Sequence, residues 1–165
     1  MSEYGVSGAD LPDNFPYKDA IDQACVLFEF SPVLAGAVAW RETLEIAAWI
    51  GTAYPGKTPL TVVTGDGGHG LFQLTSEVPL NWENPFVNAQ VAVRDYLAKD
   101  LEHWHAKYGL EGEDLVRATA ASFNAGWDQA EKWHLQGDVD LYTTHRYGVG
   151  VLVNYRALVA GHLPG

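Results

Sequence analysis

Apolar side chains recur in steps of three and four along most of this chain. Ala20, Ile21, Ala24, Val26, Leu27 and Phe28 keep that rhythm over residues 17 to 30, the pattern of a helix with one buried face. Ser31-Pro32 then reads as a helix start, with a hydroxyl to cap the first turn and a proline where no N–H is needed. The run VLAGAVAW that follows is apolar all round and predicts a buried helix reaching Arg41, Glu42 and Thr43. Gly36 and the alanines in it leave room for a close neighbour. A stretch rich in Gly, Pro and Thr over residues 51 to 59 interrupts the rhythm. Residues 60 to 64 and 71 to 74 read as two short strands across a glycine-rich turn, so a small hairpin is expected over residues 60 to 75. Asn84-Pro85 repeats the cap-plus-proline signal. Phe86, Ala89, Val93, Leu97, Leu101 and Trp104 follow it at helical spacing. Further helices are predicted over residues 114 to 123, 128 to 134 and 145 to 159, and the first 16 residues read as an irregular lead-in. The expected fold class is mainly α: an α+β helical bundle in one domain, residues 1 to 165, with one small antiparallel β-hairpin beside a cleft.

Composition narrows the partners. Twenty-one acidic residues face ten lysines and arginines, a net charge of −11. Such a charge repels phosphate backbones and anionic lipid heads, so neither nucleic acid nor a membrane is expected as partner. The six tryptophans weakly favour a carbohydrate, whose ring faces stack on indole. Cys25 is the one cysteine and has no partner for an internal disulfide. The opening MSEYGVSGADLPDNF has neither the basic segment nor the apolar run of a signal peptide. A protein kept in the cytoplasm, or leaving it by a route other than a standard signal, is expected.

Two carboxylates stand out. Glu42 closes a strongly apolar stretch, and a carboxyl held beside Val38, Ala39 and Trp40 loses hydration and keeps its proton to higher pH, as a general acid must. The plainer alternative is a surface pairing of Arg41 with Glu42, and Glu45 is the rival acid. Asp66 sits in GDGGHGLFQLTSE, which packs four glycines into six residues. A two-residue turn needs at most two such positions, so the surplus suits a place where a bulky ligand approaches the backbone. His103 and His105 are two apart on a predicted helix and point in different directions, so no metal site is expected. Cys25 lies on an apolar helix face and reads as a core residue rather than a nucleophile. Trp127, just after a turn glycine, is the best candidate for a ring that faces a sugar.

Four segments, in this order and spacing, resemble the lysozyme-like transglycosylase superfamily, and goose-type lysozymes most: WRET at 40 to 43, GDGGHGLFQL at 65 to 74, AASFNAGW at 120 to 127 and YTTHRYGVGVLVNYRAL at 142 to 158. The resemblance implies that Glu42 is the general acid and that Asp66 positions or activates water. Phe72 and Gln73 would line the cleft floor, Asn124, Ala125 and Gly126 would shape the loop beside it, and Tyr147 would direct its hydroxyl towards Glu42. The implied activity is cleavage of the β-1,4 bond between N-acetylmuramic acid and N-acetylglucosamine, with peptidoglycan glycan strands as partner, no cofactor and a monomeric protein. The chain departs from goose-type enzymes at Thr75, where they carry a second aspartate, with Glu77 two residues on; the segment from Glu42 to Asp66 is also longer. A bacteriophage lytic or tail-associated protein is the expected setting, present in the host cytoplasm before release to the wall, or in the virion. Two alternatives stay open: a lytic transglycosylase that uses Glu42 alone and forms 1,6-anhydro products, and a non-catalytic cell-wall or chitin-binding module.

Overall fold

The computed structural model describes residues 3 to 165. Eight α-helices make up the body: α1 Lys18–Leu27, α2 Pro32–Ala39, α3 Ala47–Ala53, α4 Pro85–Val91, α5 Ala98–Tyr108, α6 Gly112–Ala125, α7 Trp127–Leu135 and α8 Tyr147–Val159. Two π-helical segments, Trp40–Leu44 and Ala92–Leu97, extend α2 and join α4 to α5. Both predicted helix starts form. The Ser31 hydroxyl accepts the Leu34 N–H at 3.1 Å. Asn84 Oδ1 accepts those of Phe86 and Val87 at 3.0 and 3.3 Å.

The apolar helix α2 is the centre of the core, with every residue from Val33 to Ala39 buried. Helix α8 packs along it, and α6 packs on α8. Gly36 is needed because the lead-in crosses there: a Cβ at this position would stand 2.5 Å from Leu11 Cδ2. The lead-in is irregular yet docked, with Val6, Leu11 and Phe15 all buried. No helix among the described residues is long and apolar enough to cross a membrane.

Two expectations fail. Helix α3 runs into the stretch read as a break. It buries only Ile50, so it carries no apolar rhythm by which it could have been recognised. The hairpin is absent, and no strand or sheet occurs among the described residues; residues 60 to 75 contain only isolated bridges, Val63 with His69 and His69 with Leu74. The first presumed strand is a turn, since Thr61 and Val62 both donate back to Thr58 O, at 3.1 and 3.0 Å. The second fails because Leu71 and Phe72, which are neighbours, are both fully buried. In a strand they would face opposite ways. A tight turn sends both inward instead, closed by Gln73 N–H on Gly70 O at 3.0 Å, with left-handed backbone at Gly70 and Gln73.

Candidate active site

Glu42 is carried by the π-helical turn Trp40–Leu44, in which the Glu45 N–H reaches five residues back to Trp40 O at 2.9 Å. Such a turn holds one residue more than an α-turn and re-aims its side chains. Thr43, buried, donates its hydroxyl to Leu71 O at 2.8 Å and so ties the turn to the glycine-rich loop. Glu42 next to it is part-buried and accepts the Tyr147 hydroxyl on Oε1 at 2.6 Å. Burial pushes the Glu42 carboxyl up to about 7; the negative charge of Asp66 acts in the same direction, while the Tyr147 hydrogen bond and Arg41 oppose it. Burial likewise holds the Tyr147 phenol well above its ordinary value, so it stays a donor. Arg41 has other partners than Glu42. It pairs with Glu45 at 3.2 Å, donates to His145 O at 3.4 Å and lies 5.7 Å from the Tyr147 ring centroid. Glu45, the rival acid, is exposed and occupied by that pairing.

The glycine-rich loop is built on two nested turns, Gly67 N–H on Thr64 O at 2.9 Å and Thr64 N–H on Gly68 O at 3.0 Å. Its glycines have different tasks. A Cβ on Gly68 would meet Gln73 Oε1 at 2.4 Å, and one on Gly70 would meet Asn88 Nδ2 at 2.8 Å. At these two positions the close approach comes from the protein's own side chains rather than from a ligand. Gly65 and Gly67 face open space, and Gly67 takes a positive φ of 86°. Asn88, fully buried, organises the rest: it accepts the Phe72 N–H at 2.9 Å and donates to His69 O and Trp82 O at 3.0 and 3.1 Å. Asp66, at the exposed tip, accepts the Thr64 hydroxyl at 2.5 Å and the Gly68 N–H at 3.3 Å. The hydroxyl, then the amide, hold its carboxyl below the usual range. The two carboxyls are thus pushed in opposite directions, Glu42 towards its protonated form and Asp66 towards its ionised form.

Glu42 and Asp66 open into one cleft of about 120 Å³, with Gln73, Leu74, Thr75, Tyr96, Phe123 and Asn124 as its walls. Of the residues implied by resemblance, Gln73 and Asn124 line it, and Tyr147 acts from behind through Glu42. Phe72 does not line it: the ring is fully buried beneath the loop. Ala125 ends α6, and Gly126 turns the chain into α7 with φ 80°. Neither belongs to the wall. Trp127 is half-exposed outside it, its ring 4.1 Å from that of His103. Thr75, marked in the sequence only as a departure from the goose-type pattern, is also a wall residue, as are Leu74 and Phe123, which lie in the resembling segments without an assigned role, and Tyr96, which lies outside them. Tyr96 donates to Ser76 O at 2.7 Å, fastening the loop after Gln73 to the helix opposite, and nothing in its helical spacing marks it as different from a core aromatic.

Elsewhere, His103 bonds to Glu131, whereas His105 stacks on Tyr4 and bonds to Leu110 O, so the two histidines diverge. Among the described residues no three His, Cys, Asp or Glu side chains converge as metal ligands would. Burial pushes the Cys25 thiol far up, away from the reactive thiolate. A roomier groove of about 620 Å³ lies along α1 and the lead-in, but its carboxylates, Glu3, Asp10 and Glu29, are all exposed and it shares no residue with the cleft of Glu42. In comparisons with known proteins, no family model matches this chain, and no curated protein matches it significantly.

Proposed function

We propose that this protein is a muramidase that cleaves the β-1,4 glycosidic bond of peptidoglycan by acid-base hydrolysis. The observation that carries this reading is the pair lining one cleft: Glu42, whose carboxyl is pushed up to about 7 by burial and by the charge of Asp66, and Asp66, held low by Thr64 and Gly68. Two carboxyl groups pushed apart in this way are suited to acid and base roles respectively. The likeness of the segments around Glu42, Asp66, Asn124 and Tyr147 to goose-type lysozymes supplies the substrate class. Glu42 gives its proton to the bridging oxygen as the bond to the anomeric carbon breaks. Asp66 takes a proton from a water that attacks that carbon on the opposite face, forming the new C–O bond with inversion. Solvent then returns a proton to Glu42 and removes one from Asp66. Inversion requires the two carboxyls to be about 6.5 to 9.5 Å apart so that water fits between them.

A second reading, a lytic transglycosylase, is favoured by Thr75, which occupies the wall where goose-type enzymes place a second aspartate. There the sugar's own 6-hydroxyl would attack, and Asp66 would be dispensable. The mass of the released muropeptides separates the two. Hydrolysis leaves an ordinary reducing end, and Asp66→Asn then lowers turnover about a hundredfold. Products one water lighter, with an Asp66→Asn variant that keeps its rate, would replace the hydrolase with the transglycosylase. Sugar binding without any cleavage would leave a cell-wall-binding module.

A further inference from the structure

We propose that Asp140 is a positioning residue for the acid: with Thr143 it caps the start of α8 and thereby sets the Tyr147 hydroxyl on Glu42. The proposal rests on the reading of Glu42 as the acid, and it concerns what holds that acid in place.

The chain enters α8 through His145 and Arg146, both left-handed, and Arg146 supplies no side-chain cap. The first N–H groups of the helix would therefore be without partners inside the protein. Three of them are met by two buried side chains. Thr143 Oγ1 accepts the Tyr147 N–H at 3.0 Å, Asp140 Oδ1 accepts that of Gly148 at 2.8 Å, and Asp140 Oδ2 accepts that of Val149 at 2.7 Å. The Thr143 hydroxyl donates in turn to Asp140 Oδ1 at 2.6 Å, which locks the two caps together. Asp140 is fully buried, and Arg117 from α6 balances its charge at 3.2 Å while also holding Asp138 at 2.5 Å. The helix N-terminus favours a carboxylate there as well. Gly148 is required by this arrangement, since a Cβ would stand 2.8 Å from both Asp140 oxygens and from Arg117 O.

Tyr147 is the first residue of the capped helix, and its hydroxyl reaches Glu42 at 2.6 Å. A shift of about 1 Å at the helix start takes such a contact outside hydrogen-bond distance. The charged and titratable groups that act on Glu42 are Tyr147 from α8, Asp66 from the loop, and Arg41 and Glu45 from its own turn. Of these only Tyr147 depends on the cap of α8 through its own backbone N–H. Arg41 reaches the same helix entry through His145 O but is also anchored by Glu45, so loosening the cap acts chiefly by removing the Tyr147 hydrogen bond that holds the Glu42 pKa down, and the acid weakens.

Titration of the Glu42 carboxyl by carbon-13 NMR tests this without need of substrate. Tyr147→Phe is expected to raise the Glu42 pKa by about half a unit to one unit, and Asp140→Asn to raise it in the same direction. Combined with Tyr147→Phe, Asp140→Asn should add no further shift. Thr143→Val, which keeps the shape of the side chain, should reproduce the shift if Asp140→Asn does not fold, and Thr143→Ser should restore the wild-type value. In wall lysis, the alkaline limb of the pH profile should move upward with the titration. An unchanged Glu42 titration in folded Thr143→Val, or a shift from Asp140→Asn that persists in full beside Tyr147→Phe, would overturn the proposal. Absence of lysis by the wild type would overturn the muramidase reading alone, since the titration still reports on the cap.

Discussion

At Glu42 the same burial that suits the carboxyl to its proposed role as acid destabilises the fold. Its pKa is near 7 in the folded protein and about 4.3 in an unfolded chain, so folding favours the protonated form. That preference is fully satisfied below about pH 4.3, is lost progressively as pH rises, and is gone above 7. Glu42→Gln, which never ionises, is expected to match the wild type in stability at pH 4 and to exceed it at pH 8, by about 1 to 3 kcal/mol. Paired melting curves at the two pH values check this, and a variant less stable at pH 8 would contradict it. Activity has the same sign: lysis should fall as pH passes through about 7, because the acid has lost its proton. A rate level to pH 9 would contradict that. Glu42 was legible from the sequence because one carboxylate closing an apolar run is a local fact. The partners that tune it, Tyr147 from 105 positions away and the Asp140 cap behind that tyrosine, are products of the fold, and only family resemblance pointed to the first of them.

Among the elements, those announced by a single residue's chemistry were the readable ones: Ser31-Pro32 and Asn84-Pro85 start their helices as their side chains dictate. The loop over residues 60 to 75 was misread because a short apolar run beside glycines does not distinguish a strand from a turn that buries two neighbours, Leu71 and Phe72. Asn88, fourteen residues after Leu74 and unremarkable in its helix, determines the loop's shape. Gly70→Ala should therefore be costly, since it combines a positive φ of 67° with a clash against Asn88. A loss of about 2 kcal/mol or more in chemical denaturation is expected, whereas Gly65→Ala, with open space around it, should be nearly neutral. Helix α5 carries a second stored cost. Asp100 is buried, and burial alone raises its carboxyl to about 7. Asp100→Asn should accordingly raise the melting temperature at pH 8 and leave it little changed at pH 4, by the sign worked out for Glu42. Lower stability at pH 8 would mean that the carboxylate has a partner in solution.

For the whole molecule, the charge of −11 governs how a proposed wall-cleaving protein meets an anionic wall. Attraction cannot supply the capture, so raising salt to physiological strength should leave lysis level or improve it by screening repulsion. A steep loss with salt would reveal a basic contact surface. The helical class of the molecule and most helix positions could be read from apolar spacing, because α2, α5, α6 and α8 bury a face against one another. The cleft could be read only in part: Gln73, Asn124 and the departure at Thr75 fall in or beside recognisable segments, while Tyr96 reaches the wall through tertiary packing. The central claim is that Glu42 delivers the proton that breaks the glycan, and the release of soluble fragments from purified peptidoglycan at pH 6 by wild type and by Glu42→Gln tests it most directly. The expected result is cleavage by the wild type and a loss of about a thousandfold or more in a variant with an unchanged circular dichroism spectrum. Fragments released by Glu42→Gln at the wild-type rate, or none released by the wild type, would contradict it.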